Sequence, residues 1–259
     1  MRIDLNSDVG ESFGAWQLGH DDLLMPSITS ANVACGFHAG DPGVMRETVR
    51  LAHRHGVAVG AHPGFQDLAG FGRREMRCSP REVEDMVTYQ IGALAAIAGS
   101  EGVALRHVKA HGALYNMACR DEALAMAIAR ATAAVDRRLL LLGLPGSALL
   151  AAGRALGLAV CAEGFADRAY NVDGTLVSRS LSGSVIHDEE AVVARTVQMA
   201  RHGTVTTVQG DSIALQVDTI CVHGDTPGSA RLAAAIRGAL ERENIQVAAM
   251  TPSPSTTNL

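Results

Sequence analysis

One short segment contains the pattern that most constrains the fold, and that pattern recurs along the chain. Residues 29–43, TSANVACGFHAGDPG, predict an apolar strand, then a glycine-framed histidine, His38, and then a helix. Asp41 is well placed to cap that helix, and Pro42 suits its first turn, where a missing N–H costs nothing. An imidazole, a carboxylate and a helix N-terminus therefore meet where this strand ends.

The same order of strand, polar turn and helix repeats along most of the sequence. We predict main strands at residues 2–6, 32–35, 57–61, 106–110, 139–142, 158–162 and 218–222, with a small extra strand at 212–216. Helices are predicted at residues 42–55, from Ser79 onward, at 121–135, 146–156 and 188–202, and near the C-terminus. Short apolar strands that alternate with amphipathic helices indicate parallel pairing with right-handed crossovers.

Polar residues at the strand ends distinguish a closed barrel from an open sheet. They come from six different strand ends: Asp8, His38, His62, His111, Glu163 and His223. A barrel gathers such ends at one mouth, whereas an open sheet would spread the outermost ones apart. We therefore predict an α/β fold with a seven-stranded parallel β/α barrel. It forms a single domain over residues 1–250, and the polar tail at 251–259 is predicted to be disordered.

Composition limits the classes of partner. The 259 residues are 3% aromatic and carry a net charge of -5, so neither a basic nucleic-acid face nor a base-stacking platform is indicated. No apolar run approaches the roughly 18 residues of a membrane span, and no charged-then-apolar leader precedes the first strand. The five scattered cysteines form no C-x-x-C pair, which is typical of reduced thiols in a cytoplasmic protein.

Imidazoles and carboxylates that converge on one mouth suit general acid–base catalysis or a divalent metal. A catalytic metal needs three protein ligands and an open position, and Asp8, His38 and His62 are the plausible trio. Their spacing matches no compact signature such as H-E-x-x-H, so both possibilities stay open. Cys35 lies within an apolar strand, where free cysteine behaves as a small hydrophobe, and we favour a structural role over a nucleophilic one.

Two other segments carry charged side chains of interest. Lys109 and His111 are two residues apart and face the same side of an extended chain. The loop after the sixth predicted strand brings together two carboxylates and two arginines: Glu163, Asp167, Arg168 and Arg179. These residues form either ordinary ion pairs or a clamp for an anionic substrate, because guanidinium groups match carboxylates and phosphates. No G-x-G-x-x-G follows the first strand and no P-loop motif occurs, so no nucleotide site is indicated.

Taken together and in order, the strand-end motifs resemble the LamB/YcsF family. The motifs are DLNSDVGE, ANVACGFHAGDP, GAHPGFQD with FGRR, HVKAHGALYN, EGFADRAY and CVHGDTPG. The resemblance runs from residue 2 to about residue 228 and departs at Ala110, where we expect proline. It implies a seven-stranded barrel related to the polysaccharide-deacetylase superfamily. It also implies ATP-dependent opening of the lactam of 5-oxo-L-proline (pyroglutamate) to L-glutamate, with ATP as co-substrate and two partner subunits, B and C. A homo-oligomer is also compatible with the sequence.

The resemblance and the motifs together give a set of expected site residues. The expected catalytic residues are Asp8, His38, His62, Lys109 and His111. The expected substrate-binding residues are Asn6, Glu11, Asn32, Asp41, Arg73, Tyr115, Glu163, Asp167, Arg168, Arg179, His223 and Asp225. Asp8 or His38 would act as the base, directly or through a metal. Lys109, Arg73 or Arg168 would hold a substrate carboxylate or phosphoryl group.

Two other functions are also compatible with the sequence. The first is a stand-alone amide hydrolase or deacetylase that depends on a divalent metal. The second is a non-catalytic subunit that binds a small anionic ligand and docks on other proteins. The many titratable residues at one mouth make pure binding the least favoured of the three.

Overall fold

The computed structural model describes residues 1–224 and 228–251 of the chain, and a closed parallel barrel forms its centre. The strands are β1 (Arg2–Val9), β2 (Ser30–Ala34), β3 (Ala58–His62), β4 (His107–Val108), β5 (Leu140–Gly143), β6 (Val160–Phe165), β7 (Thr204–Thr206), β8 (Ser212–Ala214), β9 (Thr219–Cys221) and β10 (Gln246–Val247). Strands β1 to β6 pair in chain order, β6 pairs with β9, and β9 pairs back with β1. The predicted seven-stranded parallel β/α barrel is therefore confirmed.

Helices surround the barrel and follow most of its strands. They are α1 (Asp21–Leu24), α2 (Pro42–His55), α3 (Pro80–Ser100), α4 (Gly112–Ala118), α5 (Glu122–Val135), α6 (Ala148–Ala155), α7 (Glu189–His202) and α8 (Ser229–Arg242), and a 3-10 turn spans Met25–Ser27. None of the described helices is long and apolar enough to cross a membrane.

Local sequence signals explain where several helices begin. Asp41 accepts hydrogen bonds from the backbone N–H groups of Gly43 and Val44, as predicted for the start of α2. Ser79 and Glu82 form a reciprocal capping box at the start of α3. These caps satisfy N–H groups that have no partner within the helix, so each helix begins at a defined residue.

The structure adds short elements, such as β7 and β10, to those that the sequence pattern predicted. The small strand predicted at residues 212–216 is β8, and it pairs antiparallel with β7 in a separate hairpin. β10 pairs in parallel with Arg2 and Ile3 at the start of β1, and α4 begins just after His111. β7 and β10 span three and two residues, which is too few for a periodic signal in the sequence. The domain boundary at residue 250 stays a prediction, and residues 252–259 of the predicted tail lie outside the described residues.

Alternation along the strands separates an apolar layer from a polar one. On β1, Ile3 and Leu5 belong to the hydrophobic core, while Asp4, Asn6 and Asp8 are buried polar residues of the opposite face. These polar residues hydrogen-bond to neighbouring strands, as when Asn6 Nδ2 donates to Thr219 Oγ1 at 2.7 Å. The interior of the barrel is thus polar and internally hydrogen-bonded towards the carboxyl ends of its strands.

One close approach inside the barrel gives a stability prediction. A Cβ added at Gly60 on β3 would overlap the buried ring of His107 on β4. We expect Gly60→Ala to lower the free energy of unfolding by about 1–3 kcal/mol, the usual cost of overpacking. Gly92→Ala on α3 is the matched control, because a Cβ there has no neighbour within 4 Å.

Chemical denaturation of the wild type and both variants would test this expectation. The control should match or exceed wild-type stability, by about 0.5–1 kcal/mol in an unstrained helix interior. Equal denaturation midpoints for both variants would show that His107 moves aside without cost.

Candidate active site

The carboxyl ends of the barrel strands surround a cavity of about 640 Å³. The loops after β3, β4, β5 and β6 supply much of its wall. The residues predicted for the site that line the cavity are Asp8, Glu11, His62, Arg73, Lys109, His111, Tyr115, Arg168, Arg179 and His223. The mouth of the barrel thus brings together groups from nearly the whole length of the chain.

Lys109 lies at the centre of a buried cluster of charges. Its Nζ is 2.9 Å from Asp8 Oδ1 and 2.9 Å from Glu163 Oε1. It also lies 3.3 Å from Asn6 Oδ1 and 3.1 Å from Cys221 Sγ. An ammonium group has three hydrogens to donate, and four acceptors already surround this one. The geometry therefore favours Lys109 as the group that orients the two carboxylates, rather than as a direct clamp for a substrate anion.

Burial and pairing set the protonation states of this cluster. Burial by itself would lower the pKa of Lys109, but neighbouring anions, with Asp8 first among them, raise it well above its usual value. Burial would likewise raise the pKa of Asp8, yet His62 and Lys109 lower it well below the ordinary range. Asp8 and Lys109 are consequently both charged at neutral pH.

A second layer of hydrogen bonds fixes the orientation of Asp8. Asn32 Nδ2 donates to Asn6 Oδ1 at 2.7 Å and to Asp8 Oδ1 at 2.9 Å. His107 Nε2 donates to Asn32 Oδ1 at 2.7 Å, and burial lowers the pKa of His107 to about 3, so the ring is neutral. Sequence reasoning missed His107, although its spacing from Lys109 and His111 along one strand face was a usable signal.

Three histidines occupy the opposite side of Asp8. His62 Nδ1 donates to the carbonyl oxygen of Lys109 at 2.8 Å, and His111 Nε2 donates to that of Phe71 at 2.8 Å. The remaining ring nitrogens, His62 Nε2 and His111 Nδ1, face each other at 2.9 Å. The ring of His38 stacks parallel to that of His111 with a centroid separation of 3.7 Å. Burial is the main cause that lowers the pKa values of His38 and His111.

Groups that could hold a metal are found in two places within the described residues. Glu11, His38, His62 and His111 each offer one ligand atom, and these atoms lie within 4.8 Å of one another. Asp8, Cys221 and His223 form the second group by the same measure. The predicted trio of Asp8, His38 and His62 is thus divided between the two groups, although Asp8 Oδ2 lies 3.4 Å from His62 Nε2.

A hydrogen-bonded chain crosses the other wall of the cavity. His223 Nδ1 donates to Asp167 at 2.7 Å, and Arg179 Nη2 donates to His223 Nε2 at 2.8 Å. This pattern requires a neutral His223 ring, since Nε2 accepts a hydrogen bond. Burial by itself would raise the pKa of Asp167, but His223 and Arg179 outweigh it, and the pKa lies below its usual value. Arg179 thus reaches the cavity from the long loop after β6.

The other two arginines predicted for the site have different surroundings. The buried Arg168 donates to the carbonyl oxygens of Ser184 and Val177, at 3.2 and 2.6 Å, and so fastens the loop that carries Arg179. Burial lowers the pKa of Arg168 to about 10. Arg73 lies over the ring of Phe71 at 4.9 Å and lines the cavity. Arg73 and Arg179 are therefore the better placed of the three to meet an anionic substrate.

The remaining predicted residues separate into those near the cavity and those elsewhere. Tyr115 is buried beside Glu163, and burial and that carboxylate raise its pKa well above 10. Asp41 caps α2 and also accepts from Gly14 N, and it does not line the cavity. Asp225 lies outside the described residues. Cys35 is buried in the core, where burial raises the pKa of its thiol to about 12, which supports the structural role expected for it.

Phe71 is a further contributor that sequence reasoning did not select. Its φ of 54° lies in the left-handed region, which is uncommon for a residue other than glycine. Its carbonyl oxygen fixes the tautomer of His111, and its ring packs edge-on against His38 and His111. The sequence carried no direct signal for Phe71, because its strained backbone, of a kind that clusters at functional sites, is visible only in the structure.

The fold and the site define a class: a parallel β/α barrel whose acidic and basic groups meet at the carboxyl ends of the strands. The family model described as LamB/YcsF family matches residues 3–255. The chain therefore belongs to the LamB/YcsF family, as its motifs predicted.

Similarity to individual proteins extends over nearly the whole chain. A Symbiobacterium thermophilum protein named as the A subunit of 5-oxoprolinase is 57% identical over 248 residues, which cover 96% of this chain and 95% of that protein. A Pyrococcus furiosus protein of the same name is 53% identical over 250 residues, with 96% and 98% covered. The crystal structure of the lactam utilization protein from Thermus thermophilus superposes with a TM-score of 0.92 at 50% identity, covering 96% and 100%.

The charge cluster around Lys109 predicts how stability depends on pH. Because the pKa of Asp8 is depressed in the folded state, its contribution is present above its unfolded pKa of about 3.9 and is lost as the pH falls through the folded value. Because the pKa of Lys109 is raised, its contribution is present below about 10.4 and is lost as the pH rises through the folded value. The pair therefore stabilises the barrel most between about pH 4 and pH 10.

We expect Asp8→Asn to lower the free energy of unfolding at pH 7 by about 3–5 kcal/mol, as when one partner of a buried pair is removed. Its denaturation midpoint should also fall less than that of the wild type between pH 5 and pH 2. Asp85→Asn, an exposed change on α3, is the matched control and should keep the wild-type slope. Parallel pH profiles for Asp8→Asn and the wild type would contradict the assignment of an ionised Asp8.

Proposed function

We propose that this chain is the A subunit of an ATP-dependent 5-oxoprolinase, which opens the lactam of 5-oxo-L-proline to L-glutamate with ATP hydrolysis. The observation that carries the proposal is the similarity, over 95% or more of both chains, to proteins named as the A subunit of 5-oxoprolinase. The match to a structure named lactam utilization protein supports the same substrate class. The buried charged cavity supplies the groups that a hydrolase acting on a cyclic amide requires.

The chemistry explains why ATP is needed. The carbonyl carbon of an unstrained five-membered lactam is a poor electrophile, and phosphorylation of the lactam oxygen would activate it and couple ring opening to ATP hydrolysis. The sequence contains no P-loop or dinucleotide motif. We therefore assign the phosphorylation to the partner subunits B and C. This chain then binds the activated intermediate and adds water.

The residues that line the cavity suggest the division of roles. Lys109 and Asn32 occupy Oδ1 of Asp8, and Oδ2 faces His62. Asp8 Oδ2 is therefore the proposed base: it takes a proton from the water that adds to the carbonyl carbon. The same carboxyl group returns a proton to the ring nitrogen as the C–N bond breaks. This cleavage leaves a γ-glutamyl phosphate, which a second water hydrolyses to glutamate and phosphate. Asp8 is favoured over His38 because Asp8 lines the cavity and His38 does not.

The cationic wall of the cavity suggests how the substrate is held. Arg73 and Arg179 are proposed to bind the carboxylate or the phosphoryl group. A divalent metal held among Glu11, His38, His62 and His111 would supply Lewis-acid polarisation of the bound substrate. The five cysteines are all free thiols, which supports the proposed cytoplasmic location.

The decisive experiment measures glutamate release from 5-oxoproline and ATP. The assay compares this chain alone, the two candidate partners without it, and the complete mixture. Release only in the complete mixture supports the proposal. Release by this chain alone, with ATP, would reveal a nucleotide site within it. Hydrolysis of an amide without ATP would instead favour the stand-alone metal-dependent hydrolase.

In the complete mixture, we expect Lys109→Ala to reduce turnover by about a hundredfold or more, because Asp8 loses the charge that orients it. The barrel should remain folded, although less stable than the wild type, as checked by circular dichroism. Arg81→Ala is the matched control, since Arg81 is an exposed cation on α3 that pairs only along the helix surface in the described structure. Wild-type turnover in Lys109→Ala would exclude the proposed role of this lysine.

A further inference from the structure

The contact between His62 and His111 lacks a hydrogen-bond donor when both rings are neutral. Each ring commits one N–H to a backbone carbonyl oxygen, His62 to Lys109 and His111 to Phe71. In neutral rings the two facing nitrogens, His62 Nε2 and His111 Nδ1, therefore both present lone pairs. They are only 2.9 Å apart. Two lone pairs at this distance repel each other unless a positive charge lies between or beside them.

A carboxylate lies next to these two nitrogens. Glu11 Oε1 is 3.6 Å from His111 Nδ1, and the ligand atoms of Glu11, His62 and His111 are all within 4.8 Å of one another. Metal bonds of about 2.0–2.2 Å place neighbouring ligand atoms about 3–3.5 Å apart. Two imidazoles and one glutamate are also the protein ligands of hydrolytic zinc sites that keep a fourth position open.

The hydrogen bond made by the second ring nitrogen of each histidine indicates which of them are suited to bind a metal. A histidine that binds a metal almost always donates its other N–H to a carbonyl or carboxylate oxygen, as His62 and His111 do here. His38 differs, because its buried Nδ1 has no hydrogen-bond partner in the described structure, while its Nε2 lies 3.3 Å from Glu11 Oε1. Its ring is also parallel to that of His111, so the lone pairs of the two rings lie in separate planes. His38 therefore fits a role in packing and in orienting Glu11 better than a ligand role.

We infer that Glu11, His62 and His111 form a binding site for a divalent transition metal of the Zn²⁺ type. Two nitrogen ligands favour such an ion over Mg²⁺ or Ca²⁺, which prefer oxygen. All three residues line the cavity, so an ion has an entry path. This set replaces the predicted trio, because Lys109 and Asn32 hold one oxygen of Asp8 and His38 lacks the supporting hydrogen bond. Metal binding of this kind is a property of the isolated chain and does not depend on the identity of its substrate.

The test is calorimetric titration of the chelator-treated full chain with ZnCl₂. We expect one site per chain in the wild type. Glu11→Gln, His62→Asn and His111→Asn should each weaken binding by about a hundredfold or more, beyond the usual effect of losing an outer-shell partner. His38→Asn should stay within a few-fold of wild type, as should the exposed control His53→Asn. Loss of binding in His38→Asn alone would overturn the ligand set, and so would stoichiometric binding that survives all three ligand substitutions.

A second measurement uses the wild-type chain and so avoids variants that fail to fold. Long-range ¹H–¹⁵N spectra should show His62 Nε2 and His111 Nδ1 shifting on addition of one equivalent of Zn²⁺. His38 should keep both of its nitrogen signals away from metal-bound values. Absence of one-to-one binding, with a single proton shared by His62 and His111, would overturn the proposal. That result would leave the lactam reaction untouched, because glutamate release is measured separately.

Discussion

The ion cluster of Lys109, Asp8 and Glu163 is the interaction on which the interior of this barrel depends. Two carboxylates and an ammonium are removed from water together, and each charge is tolerable only because the lysine lies 2.9 Å from both carboxylates. The three residues come from β1, β6 and the end of β4, so the cluster forms only when the barrel closes. Closure of the fold and assembly of the site are therefore one event, and damage to either one should affect the other.

Backbone carbonyl groups orient the histidine rings of the site, as the charged groups orient Asp8. Lys109 contributes its ammonium to the cluster and its carbonyl oxygen to His62, so one residue orients the groups on both sides of Asp8. The carbonyl oxygen of Phe71 likewise accepts a hydrogen bond from His111, and Phe71 lies in a loop with a strained backbone. Each imidazole is held in one tautomer by an acceptor that cannot rotate away. Such preorganisation is what a catalytic or metal-binding site needs from its scaffold.

Membership of the LamB/YcsF family and a site built in this way agree with each other. The cavity combines an anionic interior, centred on Asp8, with a cationic wall that includes Arg73 and Arg179. That polarity suits a small anionic substrate whose reacting carbonyl carbon must approach a base while its charged groups stay at the wall. In the reaction that we propose, the activation step is assigned to partner chains, because the sequence contains no P-loop motif.

The sequence by itself determined the periodic alternation of strands and helices, and with it the parallel barrel. It also determined which strand ends carry imidazoles and carboxylates, since a side chain's position relative to its strand is a local property. It could not determine how those side chains pair. The choice of Glu163 as the second partner of Lys109, the role of His107 behind Asn32 and the separation of Asp8 from His38 all depend on distances across the barrel. Only the tertiary structure sets those distances, because strand register and barrel closure decide which side chains of different strands come within reach.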